Sequence, residues 1–296
     1  MAMGYEGMAR LQMDVIESLA LCTGASVPRV RPKMESSAAY GGQIRLPVGE
    51  IGIGAPETYD LETYDGSMEV ELTEDFFSNQ LKPWIFNRQK AGNVFIQTRA
   101  DGAQSFSTCY WNSINIAASD SSAVSAGLGF VALKRDAYNF GGGYIANKNQ
   151  DPSVFCGTVP YNVPSPLNSG NSQLSPIPYW NTSVDIAGVD VEFITWTLDI
   201  SQDVVKFFSC ENNANPVEPR FVGVGPMTIT FSGDFMFLDS PPNFLIPDYL
   251  SALTLTIGNT TLKLEDLELQ TDTDAIQSPE SLVPIALEYS AYTLVV

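Results

Sequence analysis

Met68-Glu69-Val70-Glu71-Leu72-Thr73-Glu74-Asp75-Phe76-Phe77 alternates apolar and polar residues, then ends in an acid and two aromatics. Successive side chains on a strand point to opposite faces, so Met68, Val70 and Leu72 share one face and Glu69 and Glu71 the other. One face suits burial and the other suits water. The pattern returns as Met227-Thr228-Ile229-Thr230-Phe231-Ser232-Gly233-Asp234-Phe235-Met236. The two stretches align without a gap, Met68 on Met227, Asp75 on Asp234 and Phe76 on Phe235. That alignment sends Met227, Ile229 and Phe231 to a core and sets Thr228 and Thr230 against Glu69 and Glu71.

The flanks of both stretches also agree. After the first come an aromatic segment (76–85) read as a short helix or turn and a hairpin (93–99 and 104–116) around Asp101-Gly102. A small, polar loop (117–126) and a last strand (129–133) follow. After the second come strands 253–257 and 261–269 around Gly258-Asn259, a polar loop (270–281) and a final strand (284–296). Residues 189–200 add an alternating strand ahead of it, with Ile194, Trp196, Leu198 and Ile200 on one side. Between these regions lie Gly141-Gly142-Gly143 and Pro152, Pro160, Pro164, Pro166, Pro176 and Pro178, a linker or projecting loop. No Lys-Ser/Thr follows the glycines, which excludes a P-loop reading. The expected organisation is therefore a first lobe over 1–140, a connection over 141–188 and a second lobe over 189–296.

Ahead of the first stretch, Met8, Leu11, Val15 and Leu19 have helical spacing, so a helix is expected over 8–21 and ends near Thr23-Gly24. Arg29, Arg31 and Lys33 form the one basic cluster, on an extended arm or loop that is either simply exposed or salt-bridged to an acidic neighbouring subunit. Residues 43–53 read as short strands. Residues 57–65 read as an acidic loop closing at an Asp65-Gly66 turn.

Composition narrows the function classes. The chain of 296 residues carries 15 Lys and Arg against 34 Asp and Glu, a net charge of −19. From 149 onward only Lys206, Arg220 and Lys263 are basic. Such a surface repels the phosphate backbone, which argues against a conventional nucleic-acid binder. There is no histidine, so His-based triads, general bases and the common metal sites are removed. Four dispersed cysteines lack a C-x-x-C pair and read as small buried residues. Acidic residues cluster at Glu265, Asp266, Glu268, Asp272 and Asp274, without the spacing of a calcium loop. No apolar run has the roughly 18 residues of a membrane span, and no signal-peptide pattern opens the chain. A soluble, non-enzymatic protein without catalytic, cofactor or metal residues is expected.

The residues Thr195-Trp196-Thr197-Leu198-Asp199-Ile200 with Val204, then Pro219-Arg220-Phe221-Val222-Gly223-Val224-Gly225, then Thr228 to Phe235 resemble a bacteriophage tail tube protein. The resemblance covers mainly 189–296 and, more weakly, 43–135; Trp84 and Trp111 do not match Trp196. It implies a mainly β fold of two tandem tail-tube-like β-sandwich or half-barrel lobes with short flanking helices. It also implies a structural virion protein of the tail, assembled in the host cytoplasm. Lobes of this family join in rings, usually of six, that stack into a tube conducting the genome. Two lobes per chain imply a trimeric ring with pseudo-sixfold symmetry. The partners implied are further copies, other tail proteins and phage DNA in transit, with no membrane. Glu69, Glu71, Thr228 and Thr230 are the candidate lumen-facing residues. A tail-tip or baseplate hub ring of the same fold is the alternative, and a carbohydrate-binding β-sandwich is a third reading.

Overall fold

Strand follows strand along nearly the whole of the described chain. The computed structural model describes residues 8–13, 16–30, 63–99, 102–135, 175–186, 189–207, 221–236, 248–274 and 285–295. The strands are β1 (Met8–Met13), β2 (Ile16–Ser26), β3 (Arg29–Val30), β4 (Thr63–Glu71), β5 (Gly92–Arg99), β6 (Gly102–Ser119) and β7 (Ser125–Arg135). They continue as β8 (Thr182–Ile186), β9 (Val189–Phe207), β10 (Phe221–Met236), β11 (Tyr249–Ile257), β12 (Thr260–Asp274) and β13 (Ile285–Val295). All belong to one 13-stranded sheet. Its pairings are antiparallel throughout, so the fold is mainly β, one curled sheet with a short helical region.

The curl is visible in the pairing. Going round β1, β2, β4, β7, β6 and β5 returns to β1 by hydrogen-bonded neighbours alone. Going round β8, β9, β10, β13, β12 and β11 returns to β8 in the same way. Closure removes exposed strand edges, which are otherwise aggregation-prone. The two circuits meet at one junction, where Ser113–Ser119 of β6 pair with Thr195–Ser201 of β9. β6 is long enough to serve both. Its first half pairs with β5 and its second half, on the same edge, with β9.

Burial follows the alternation expected of the opening stretch. Met68, Val70, Leu72, Ile229 and Phe231 are buried, and Met227 packs half-buried against them. Trp84, Trp111 and Trp196 are all fully buried. The helical region (74–86) runs through Glu74–Phe76, a π-turn Phe77–Leu81 and Lys82–Phe86. Thr73 caps its start by accepting from the Phe76 N–H at 3.2 Å, and Phe76, Phe77, Leu81, Trp84 and Ile85 turn inward. A helical reading of the aromatic segment was expected.

Side chains tie the helical region to both circuits. Trp111 Nε1 donates to the Trp84 carbonyl at 2.8 Å, and Gln202 Nε2 donates to the Trp111 carbonyl at 2.7 Å. Arg88 Nε donates to Gln202 Oε1 at 2.9 Å, and Arg88 also donates to the Gly225 carbonyl. Both ends of the buried Gln202 amide are thus satisfied, as a buried polar group requires. Glu74 accepts from the Asn259 N–H at 3.0 Å and from Thr260 Oγ1 at 3.2 Å, holding the β11–β12 turn. Gly258 there has φ +60, and a Cβ on it would lie 1.8 Å from Glu74 Oε2. No other residue type fits that turn without moving the carboxylate.

Four local expectations are corrected. Residues 8–21 are not a helix but β1 and the start of β2, because Leu11 finds Val94 and Ser18 as strand neighbours. Tertiary pairing outweighs the helical spacing of four apolar residues. Asp65-Gly66 is not a turn but lies within β4; the Phe130 ring fills the place of a Gly66 side chain, with Cζ 2.2 Å from an added Cβ. The polar stretches 117–126 and 270–281 are strand in part, since Ala117–Ser119 end β6, Ser125 opens β7 and Gln270–Asp274 end β12. Thr182–Ile186, assigned above to the connection, is β8 and closes the second circuit. The expected strands at 43–53, the glycine triplet and most of the proline-rich connection lie outside the described residues.

Candidate functional site

Rows of laterally paired residues cross the outer face of the sheet. In one, Glu69 pairs with Gly127, Gly127 with Asn115, Asn115 with Asp199, Asp199 with Thr230, Thr230 with Ser290 and Ser290 with Glu268. A second runs Glu71, Ser125, Ala117, Thr197, Ser232 and Glu288 by the same pairings. A third runs Ser67, Gly129, Ser113, Ser201 and Thr228. The rows pass from the first circuit to the second across the β6–β9 junction without a step. Every member is small, hydroxylic, amide or acidic. No lysine, arginine or large apolar residue stands in these three rows.

All four sequence-selected residues lie on this face. Glu69 and Thr228 are exposed, and Glu71 and Thr230 are half-buried. The same ladders bring in Asn115, Asp199, Ser232, Glu288 and Glu268, which sequence reading did not select. The signal was present in residues 113–119, where Ser113, Asn115, Ala117 and Ser119 alternate with Ile114, Ile116 and Ala118. Asn115 Nδ2 donates to Asp199 Oδ1 at 2.6 Å, a charge-assisted bond across the junction. Asp234, on the same side of β10, accepts from Thr195 Oγ1 at 3.0 Å. At Gly129 an added Cβ would lie 2.2 Å from Ser113 Oγ, so the face is kept flat there.

Pairing also corrects the alignment that singled these residues out. In β4, Val70 faces Cys22 and Glu69 faces Gly24, leaving Thr23 as a bulge. In β10, Phe235 faces Phe193 and Asp234 faces Thr195, leaving Ile194 as a bulge. By position in the circuit, Glu69 therefore corresponds to Asp234 and Met68 to Gly233, not to Thr228 and Met227. The gapless match of the two stretches follows residue types, while the pairing follows the strand ends.

Two more irregularities sit at corresponding places. Asn112 is skipped between Trp111–Phe130 and Ser113–Gly129, and Gln270 is skipped between Leu269–Tyr289 and Thr271–Glu288. Thr108 and Asp266, both unpaired in the β6–β7 and β12–β13 ladders, both have φ 55.

Chemically, this face can accept hydrogen bonds and repel anions. Phosphate is held by Arg, Lys, backbone N–H groups and helix N-termini, and the rows provide no cationic side chain. Among the described residues, no group of three or more His, Cys, Asp or Glu is placed to hold a metal ion. A shallow depression of about 190 Å³ opens on the face between Thr195–Thr197, Ser232–Asp234 and Ala286–Glu288. A larger open groove, about 830 Å³, lies elsewhere, between Phe86–Lys90 and Val224–Pro226. The thiol of Cys22, next to the bulge, is pushed up to about 11, chiefly by burial. A thiol so placed is inert and packs as an apolar residue. No family model matches the chain, and no curated protein matches it.

Proposed function

We propose that the chain is a structural virion protein, the tail tube subunit of a bacteriophage, with its two strand circuits as duplicated tail-tube-like lobes. Three copies close a ring of pseudo-sixfold symmetry, rings stack, and the small and acidic face lines the channel through which DNA passes. The observation that carries this reading is the continuity of the ladder rows across β4, β7, β6, β9, β10 and β13. A lining for moving DNA has to lack phosphate grips, because each contact releases counterions and holds the duplex. A lining also has to lack bulky apolar and cationic side chains, and these rows carry none.

The duplication is supported by the order of pairing, which is the same round both circuits. It is supported further by the two bulges and the positive-φ residue that recur at corresponding positions. With Glu69 and Asp234 in register, both lobes carry an acid at that place. The β6–β9 junction joins different strands of the two lobes. A head-to-tail contact of that kind generates a ring when its rotation closes.

Negative-stain electron microscopy of purified protein tests the reading. Tubes with a central channel, built of rings with three copies each, are expected. Single rings that never stack point to the hub alternative. A protein that stays monomeric at high concentration and binds glycan sinks both.

A further inference from the structure

The junction inside the chain is a template for the junction between chains, and this inference rests on the ring reading above. β9 uses one edge twice: Val189–Val191 pair with β8 and Thr195–Ser201 with β6. Its counterpart β2 pairs with β1 on that edge at Ile16–Leu21, and beyond it, among the described residues, residues 24–30 have no strand there. Likewise β6 pairs with β5 and then with β9 along one edge. Its counterpart β12 pairs with β11 as far as Glu268, and among the described residues the edge of Gln270–Asp274 is open. One chain thus ends in both halves of a contact that it already makes once internally.

The bulges set the register. Thr23 matching Ile194 places Val27, Pro28, Arg29 and Val30 at the positions of Leu198, Asp199, Ile200 and Ser201. Gln270 matching Asn112 places Thr271, Asp272, Thr273 and Asp274 at the positions of Ser113, Ile114, Asn115 and Ile116. We infer that β12 of one copy pairs antiparallel with β2–β3 of the next, with Asp272 opposite Arg29, Thr271 opposite Val30 and Asp274 opposite Val27. The internal pairs behind this register are Ile114 with Ile200, Ser113 with Ser201 and Ile116 with Leu198.

Two facts favour this edge over others. Where the internal junction sets the buried Ile114 against the buried Ile200, the open edges set Asp272 against Arg29 at the corresponding core-side positions. Opposite charges facing across strands stabilise the pair, and like charges oppose it. Arg29 belongs to the basic cluster of the sequence, and Asp272 to its late acidic cluster. Pro28, which has no N–H, does not block the edge, because its carbonyl is turned toward β4, where it accepts from the Asp65 N–H at 3.3 Å. The occupant of each open edge is accordingly a second copy of this chain.

Charge exchange and cross-linking test the pairing on the full chain. Asp272→Arg and Arg29→Asp, each alone, are expected to abolish rings in electron microscopy and sedimentation. The double variant is expected to restore them, which also shows that neither change prevents folding. Thr271→Cys combined with Val30→Cys is expected to give covalent trimers under oxidation, with neither cysteine sufficient alone. Rings that persist in both single variants, or that cross-link only with Thr271→Cys paired to another position, overturn this register and leave the ring reading standing. Wild-type protein that forms no ring at any concentration overturns both.

Discussion

The two circuits share a strand order and differ in what fills them. At the position where β4 has Gly66 under the ring of Phe130, β10 has Phe231 beside Tyr289. Two residues further along the same strands, Met68 is fully buried while Gly233 leaves room for the ring of Phe235, whose Cζ lies 2.9 Å from an added Cβ. The bulky residue thus stands at different positions in the two circuits. Cores tolerate such exchanges when volume is kept. Some backbone irregularities coincide, Thr23 with Ile194 and Asn112 with Gln270, whereas the two shifts of the β5–β6 ladder have no counterpart between β11 and β12. Side-chain identity is therefore a poorer guide to correspondence between the circuits than the bulges that coincide.

The sharpest way to break the comparison is at Gly66 and Phe130. Phe130→Ala is expected to cost about 3–5 kcal/mol, as for large-to-small changes of buried aromatics. Gly66→Ala alone is expected to cost about 1–3 kcal/mol through overpacking against the ring. In the Phe130→Ala background, Gly66→Ala is expected to be neutral or stabilising, because its clash is gone. Urea unfolding of the four proteins measures the coupling, and simple additivity would show that the two positions do not share one volume.

Next in size is the contact between circuits. Gln202→Leu removes the donor to the buried Trp111 carbonyl, at about 1–3 kcal/mol for a buried group left unpaired, and the acceptor of Arg88 Nε, while Arg88 keeps the Gly225 carbonyl. The buried leucine offsets a part of this. A loss of Tm in thermal unfolding is expected, larger than for Asp203→Ala on the exposed side of the same strand. Equal effects would mean that the amide does not bridge the circuits.

The smallest effect distinguishes the paired positive-φ positions. A β-branched residue at φ 55 is strained, whereas aspartate tolerates that region better. Thr108→Gly is expected to stabilise by about 0.5–1 kcal/mol after the entropy cost of glycine, and Asp266→Gly to be near neutral. Denaturant midpoints decide it, and a stabilised Asp266→Gly with an unchanged Thr108→Gly would reverse the ranking.

Much of this was legible in residue order. Alternation placed Met68, Val70, Leu72, Ile229 and Phe231 in the core, and Gly258-Asn259 marked its hairpin. The candidate face was half legible. Glu69, Glu71, Thr228 and Thr230 do lie on one side of the sheet, because strand parity is a local property. Which of them stand in one row is not local. It depends on Gly127, Asn115 and Asp199, distant in sequence and joined only through register. The strands at 8–26 were misread for a related reason. Met8, Leu11, Val15 and Leu19 fit a helical period, and besides each other the two strands have the distant β4 and β5 as partners.

The shared use of β6 and β9 has a consequence for how the fold is lost. Each strand belongs to a closed circuit and to the junction at once. Releasing β9 opens the second circuit and also exposes the far edge of β6. Neither circuit has a free end from which to fray independently, so the described strands make one cooperative unit. Opening of local segments falls instead to peripheral pieces such as the two-residue β3, held by β4 alone.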